Sequence, residues 1–235
     1  MNSSPNLSKE PMGSTDRPMV SICLITYNHE NLLDEAFASI LGQEVDFKIE
    51  VVVGEDCSTD LTREVINKWQ KMAPGLIKPI YREFNLGLKQ NFVDTLSRCS
   101  GEFVALLSGD DYWTDVHKLA KQVGFLADNS EYVLIANNAL RFSKSDAGAR
   151  GYVRPIVSAF DFDTSFLMQS NPCFASQVMF RNNLISKFPP VYYPSVAEDR
   201  GLFLLLSRLG KCRFDPEVSG VYRVHDTSIT TKRGA

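Results

Sequence analysis

Residues Phe103-Val104-Ala105-Leu106-Leu107-Ser108-Gly109-Asp110-Asp111-Tyr112-Trp113 decide the fold. Five uncharged, apolar residues run through Ser-Gly into two adjacent carboxylates. A short apolar run bounded by glycine reads as a strand covered on both faces. Open α/β sheets bind their ligands at the carboxyl ends of the strands, which is where the two acids fall. Side by side they repel one another. Water relieves that repulsion, and so does a divalent cation held by hard oxygen ligands. A plain Gly-Asp turn is the competing explanation.

The sequence on either side alternates strands with helices. Val20 to Thr26 reads as a strand, and Asn28 as the cap of a helix over 32–41 with Leu32, Leu33, Ala36, Phe37 and Ile40 on one face. Ile49 to Val53 is a second strand. Ser58 or Thr59 starts the next helix, which ends before Pro74-Gly75. Strands over 77–81, 103–107 and 132–136 and helices over 88–96 and about 119–126 continue the alternation. This pattern predicts βαβ units with right-handed crossovers and a mainly parallel central sheet flanked by helices. Residues 143–170 read as loop-rich, with Ser143, Ser145, Asp146 and Gly148 marking turns. Beyond them lie an expected strand over 177–180, a short helix over 182–187, a helix over about 199–209 and a strand over 218–222. Residues 1–17 are polar and read as a disordered tail, not a signal peptide.

With 235 residues the chain can bury a core of its own. The formal charge of -3, from 25 basic and 28 acidic residues, argues against a mainly electrostatic nucleic-acid binder. Cys23, Cys57, Cys99, Cys173 and Cys212 lie far apart with no C-x-x-C pair, so they read as reduced thiols of a cytosolic protein. No segment approaches the ~20 apolar residues of a membrane-spanning helix.

Two further acidic clusters matter. Glu55-Asp56-Cys57-Ser58-Thr59-Asp60 follows the second strand, so its acids share the sheet edge with Asp110 and Asp111. The plain explanation is helix capping. The functional one has Asp56 accept the imide N–H of a pyrimidine base. Glu198-Asp199 opens a helix, where the dipole alone favours acids by about 0.3–1 kcal/mol. The functional reading makes Asp199 a general base whose weakness beside the dipole a nearby diphosphate offsets. His29 and His117 read as surface residues. Lys89 and Arg223 are solvated or phosphate-binding, and Trp113, Tyr192 and Tyr193 stack on a sugar or pack in the core. No glycine-rich phosphate loop, dinucleotide fingerprint or nucleophile elbow is present, so a phosphate would need a metal and a few cations.

The ordered set Val20–Asn28, Val51–Asp60, Ser108–Trp113, Ala197-Glu198-Asp199 and Tyr222-Arg223-Val224-His225 resembles the family-2 inverting glycosyltransferases of the GT-A fold, over about residues 18–230. The resemblance implies that Thr26, Tyr27 and Asp56 surround the nucleotide base with Lys89 nearby. It implies that Asp110 faces the donor, that Asp111 is the usual metal ligand, and that His225 approaches the metal or diphosphate. Asp199 matches the base; Trp113 and Glu198 are acceptor-side candidates. Glu55 and Cys57 depart from the family's more usual Asp and Gly.

The resulting expectation is a single domain over 18–235, with a nucleotide-sugar half over 18–140 and an acceptor half over 141–230. It transfers a sugar from a nucleoside diphosphate, a UDP-sugar by preference, to a hydroxyl of a saccharide or lipid-linked saccharide, with Mn²⁺ or Mg²⁺. The expected setting is bacterial surface polysaccharide or glycoconjugate synthesis, in the cytoplasm, with peripheral membrane contact through the 188–194 loop and Lys232-Arg233. The alternatives are a non-catalytic nucleotide- or carbohydrate-binding module and a nucleotidyltransferase. The latter would need a basic phosphate loop that Thr26–Glu30 lacks.

Overall fold

The computed structural model describes residues 17–143, 150–193 and 198–225. In chain order the elements are β1 (Val20–Thr26), α1 (Leu33–Leu41), β2 (Ile49–Glu55), α2 (Thr62–Met72), β3 (Ile77–Tyr81), α3 (Leu88–Leu96), β4 (Phe103–Ser108) and β5 (Tyr112–Trp113). Then come α4 (Lys118–Asp128), β6 (Tyr132–Ser143), β7 (Arg150–Tyr152), β8 (Phe160–Phe162), α5 (Thr164–Gln169), β9 (Val178–Arg181), α6 (Glu198–Leu206) and β10 (Lys211–Val224). Short 3₁₀ turns cover Ala175–Gln177 and Pro190–Tyr192.

One sheet runs β3-β2-β1-β4-β9-β6-β10-β5, with β7 on β6 and β8 on β10. The β1–β2, β1–β4, β2–β3 and long β6–β10 ladders are parallel. Strand β9 enters antiparallel between β4 and β6, while β5, β7 and β8 are short antiparallel additions. The sheet is thus mainly parallel, as expected. Burial on both faces explains the apolar runs. Phe103, Ala105 and Leu107 of β4 pack with Leu33, Phe37 and Ile40 of α1. Val104 and Leu106 pack on the other side with Phe92, Leu202 and Phe203.

Several sequence expectations change. Asn28 does not cap α1: its φ of 55° is left-handed and its Oδ1 accepts the Thr59 N–H. The 182–187 segment is a series of turns with Asn183 at φ 61°, not a helix, because Asn182 turns its side chain back to the Cys99 and Gly101 carbonyls. The loop-rich 143–170 region contains β7, β8 and α5, the last capped by Asp163 accepting the Phe166 N–H. Strands β6 and β10 outrun their apolar cores because each supplies the other's hydrogen-bonding edge. The expected tail lies outside the described residues except Arg17, whose guanidinium bonds the Ser100 and Gly101 carbonyls. The turn markers Ser145, Asp146 and Gly148 also lie outside them.

Candidate active site

Strands β1 and β4 are parallel neighbours in register, Ile25 opposite Ser108, so Thr26–His29 and Gly109–Asp111 leave the sheet side by side. Gly109 is required at this point. A Cβ there would come within 2.6 Å of the Thr26 Oγ1. Strand β5 pairs with β10 through Val221 and Tyr112, which brings Arg223–His225 back over the same edge.

Asp110 is the centre of what results. Its Oδ2 lies 3.2 Å from His225 Nε2 and 3.9 Å from His29 Nε2. Ligand atoms of His29, Asp110 and His225 all fall within 4.8 Å of one another. Thr26 Oγ1, 3.2 Å from His29 Nδ1, orients that ring. Burial works to raise the Asp110 pKa, but the hydrogen bond from His225, the nearby His29 and the Ser108 hydroxyl outweigh it and hold the carboxyl down at about 2. Burial lowers the His29 pKa, with Asp110 opposing. An ionised carboxylate beside two imidazoles, one of them held towards its neutral form, is a donor set that suits a divalent cation. His29, read from sequence as a surface residue, is thus brought into the cluster. The signal that could have found it was the adjacency of β1 and β4.

Asp111 faces the other way. It is 1% exposed; its Oδ2 accepts the Ser176 hydroxyl at 2.5 Å and its Oδ1 the Arg223 N–H at 3.0 Å. Burial and the charge of Asp110 push its pKa well up. The turn after β4 thus sets Asp110, and not Asp111, beside the two imidazoles, while Asp111 is closed off by Ser176 and the Arg223 N–H. Arg223 fastens the arrangement. Its guanidinium bonds Glu35, the Asp110 carbonyl and, at 2.8 Å, the Leu32 carbonyl.

Other expected positions divide. Tyr27 is exposed at the end of β1. Asp56 is buried, with its oxygens accepting the Leu86 and Gly87 N–H groups at 2.8 and 2.9 Å, so it builds the 85–87 loop. Glu55 is likewise spent on the Ser58 N–H and Arg63, both at 2.5 Å. Lys89 reaches the Tyr192 and Tyr193 carbonyls at 3.3 and 2.9 Å, tying α3 to the 190–193 turn. Trp113 is no surface platform. It is buried, donating to the Ser176 carbonyl at 2.6 Å with the Lys118 ammonium 4.5 Å from its ring centre. Asp199, at the start of α6, accepts the Arg200 N–H at 2.7 Å. It lines a cavity of about 60 Å³ with Cys23, Ile25, Phe92, Leu106 and Ser108. Ser108 therefore borders both Asp199's cavity and Asp110. The Glu198 side chain and Ala197 lie outside the described residues.

The chain is 32% identical over 216 residues to an uncharacterized protein of Mycobacterium tuberculosis, a match covering 89% of this chain and 60% of the relative. Among solved structures it resembles S. aureus TarS in complex with UDP-GlcNAc, with TM-score 0.69, 21% identity, and 89% and 59% of the two chains covered. It also resembles a mannosyltransferase of Pyrobaculum calidifontis in complex with GDP-Man and Mn²⁺, with TM-score 0.67, 20% identity, and 92% and 60% covered. The chain thus spans about 60% of the length of the proteins it matches over most of its own. The sequence model of Glycosyl transferase family 2 matches residues 21–187, and with the GT-A sheet and its acidic carboxyl edge in place, this chain belongs to that family.

Proposed function

We propose that the chain is a metal-dependent inverting glycosyltransferase that moves a sugar from a nucleoside diphosphate, by preference UDP, to a hydroxyl acceptor. The observation that carries this reading is the convergence of His29, Asp110 and His225 at the sheet edge, beside the cavity that holds Asp199. His29, Asp110 and His225 would hold the cation, and a nitrogen-rich set favours Mn²⁺ over Mg²⁺, which prefers oxygen. When bound, the cation supplies Lewis-acid stabilisation of the departing diphosphate.

The chain's own groups do the rest. Tyr27, exposed at the end of β1, offers a ring to the base. Thr26 keeps His29 oriented. Asp199 accepts the acceptor's hydroxyl proton as the oxygen bonds to the anomeric carbon and the bond from that carbon to the diphosphate oxygen breaks on the opposite face. Lys89 acts through the 190–193 turn. Residues 18–140 then form the donor half and 141–230 the acceptor half of a single domain.

The acceptor in this reading is a saccharide or lipid-linked saccharide of the bacterial surface, glycosylated on the cytoplasmic side. Membrane contact would run through the 188–193 loop, where Val191 is 73% exposed. Lys232-Arg233 and Pro194 lie outside the described residues. No helix among those residues is long and apolar enough to cross a membrane.

Calorimetry with UDP, with and without Mn²⁺, tests the proposal. Mn²⁺ should tighten binding in the wild type, and Asp110→Ala should remove that gain. The loss should exceed the ~10–100-fold typical of changes in residues that only support a ligand. Equal affinity with and without Mn²⁺ in the wild type would refute it.

A further inference from the structure

The cavity beside Asp199 has a floor of one character and a mouth of another. Cys23 of β1, Leu106 of β4, Phe92 of α3 and Leu202 of α6 form the floor, and all four are buried. Ile25, Ser108, Ala175 and Asp199 form the mouth, and each is half-buried. Cys23 and Ile25 lie two residues apart on β1, as Leu106 and Ser108 do on the neighbouring parallel β4. Each pair therefore points to one face of the sheet, the face on which Phe92 and Leu202 pack. The cavity rises from that core to the carboxyl ends of β1 and β4, the edge that carries Asp110.

Its size and lining limit what can fill it. Protein interiors hold few voids larger than a water molecule. A water needs ~10–15 Å³ of such space, so a cavity of about 60 Å³ has room for several atoms. Water is a poor occupant, because it needs two to four polar partners and the four floor residues offer carbon and one thiol. A sugar hydroxyl is no better, since it would leave water and find no hydrogen bond at the floor. The fitting group is short, ends in a methyl and carries its polar atoms nearer the sugar ring. An acetamido group has that shape. Its methyl reaches the floor, while its N–H and C=O stay at the mouth beside Ser108 and solvent. A methyl attached directly to the ring would draw the ring's hydroxyls into the apolar part.

We infer that this cavity receives the acetamido methyl of an N-acetylated hexosamine. The inference rests on the proposed function for the identity of the cleft, and it adds a substrate class to it. Two sources share this chemistry, the transferred sugar of the donor and the terminal sugar of the acceptor.

Calorimetry on the full chain in Mn²⁺ tests it in two arms. One compares UDP-N-acetylglucosamine with UDP-glucose. The other loads the protein with UDP and compares methyl N-acetylglucosaminide with methyl glucoside. In one arm the acetylated ligand should bind about tenfold or more tightly, the usual effect of filling an apolar pocket with a small group. A preference in the first arm assigns the group to the donor; one in the second assigns it to the acceptor. Ala175→Leu, which places a larger side chain at the mouth, should erase the preference, with circular dichroism confirming that the variant folds. A second measurement needs no variant: lengthening the acyl group from acetyl to hexanoyl should remove the gain, because the cavity has no room for the longer chain. No preference in either arm, a preference that survives in folded Ala175→Leu, or a hexanoyl ligand that binds as tightly as the acetyl one overturns the inference. Mn²⁺-dependent UDP binding persists in those outcomes. Its absence in the wild type overturns the proposed function and this inference together.

Discussion

Two acidic turns lie along one edge of this sheet, and they do opposite things with their charge. In the turn after β2, the carboxylates are consumed internally. Glu55 is bound to Arg63 and a loop N–H, Asp56 to two loop N–H groups, and Asp60 to the N–H groups of Glu30 and Thr62. In the turn after β4, one carboxylate is consumed in the same way and its neighbour is not. Asp111 is closed off by Ser176 and the Arg223 backbone, whereas Asp110 faces two imidazoles. Acids at strand ends are therefore not evidence of a site by themselves. What separates them is whether the opposing surface supplies N–H groups, which complete a fold, or ligand atoms, which leave room for a cation.

Substitutions can break or sharpen this contrast. The largest effect is expected at Asp199, outside both turns. Asp199→Asn should lower turnover by ~10²–10⁴-fold, the usual contribution of a general base, while Mn²⁺-dependent UDP binding measured by calorimetry is kept. Unchanged turnover would remove Asp199 from the role. Next comes the pair within the second turn. Asp111→Asn should preserve the effect of Mn²⁺ on UDP affinity, because burial and Asp110 already favour a neutral Asp111 and an amide can serve Ser176 and the Arg223 N–H. Asp110→Asn should abolish it, and the reverse pattern would restore Asp111 as the ligand.

In the first turn the cost should be to stability alone. Asp56→Ala leaves the Leu86 and Gly87 N–H groups without their acceptor, and should destabilise the protein by about 1–3 kcal/mol in urea unfolding. Its Mn²⁺ dependence should be intact; loss of that dependence would show that the two turns act as one site. The smallest effect is at Cys57, held at φ 61°. A left-handed backbone strains any side chain but leaves glycine unstrained, against which glycine's greater freedom in the unfolded chain must be set. Cys57→Gly should therefore stabilise by about 0.5–1 kcal/mol in the same assay. A destabilisation would mean that the thiol's contact with the Glu83 carbonyl, at 3.5 Å, matters more than backbone strain.

The contrast also explains how far the sequence could be read. Strands β1, β2 and β4 were legible because each buries both faces and helices separate them, so local apolar pattern and global position agree. Strand β3 and helix α3 match the expected bounds residue for residue. Strands β7 and β8 were not legible. Each has three residues and lies along a longer strand, so it owes its existence to a partner distant in the chain and not to its own composition. The same holds within the site. The acids announced the edge, but His29 joined it only because β1 and β4 are neighbours, and Trp113 left it because β5 pairs with β10 and its ring is buried against the Ser176 carbonyl and the Lys118 ammonium.

By itself, the order of apolar runs and acidic strand ends determined a mainly parallel α/β sheet with a polar carboxyl edge, since burial periodicity and chain chirality act locally. Which carboxylate stands beside the imidazoles and which histidine joins it were decided only by tertiary structure. Those depend on the register between strands far apart in the chain, and a shift of one residue there turns each side chain to the opposite face.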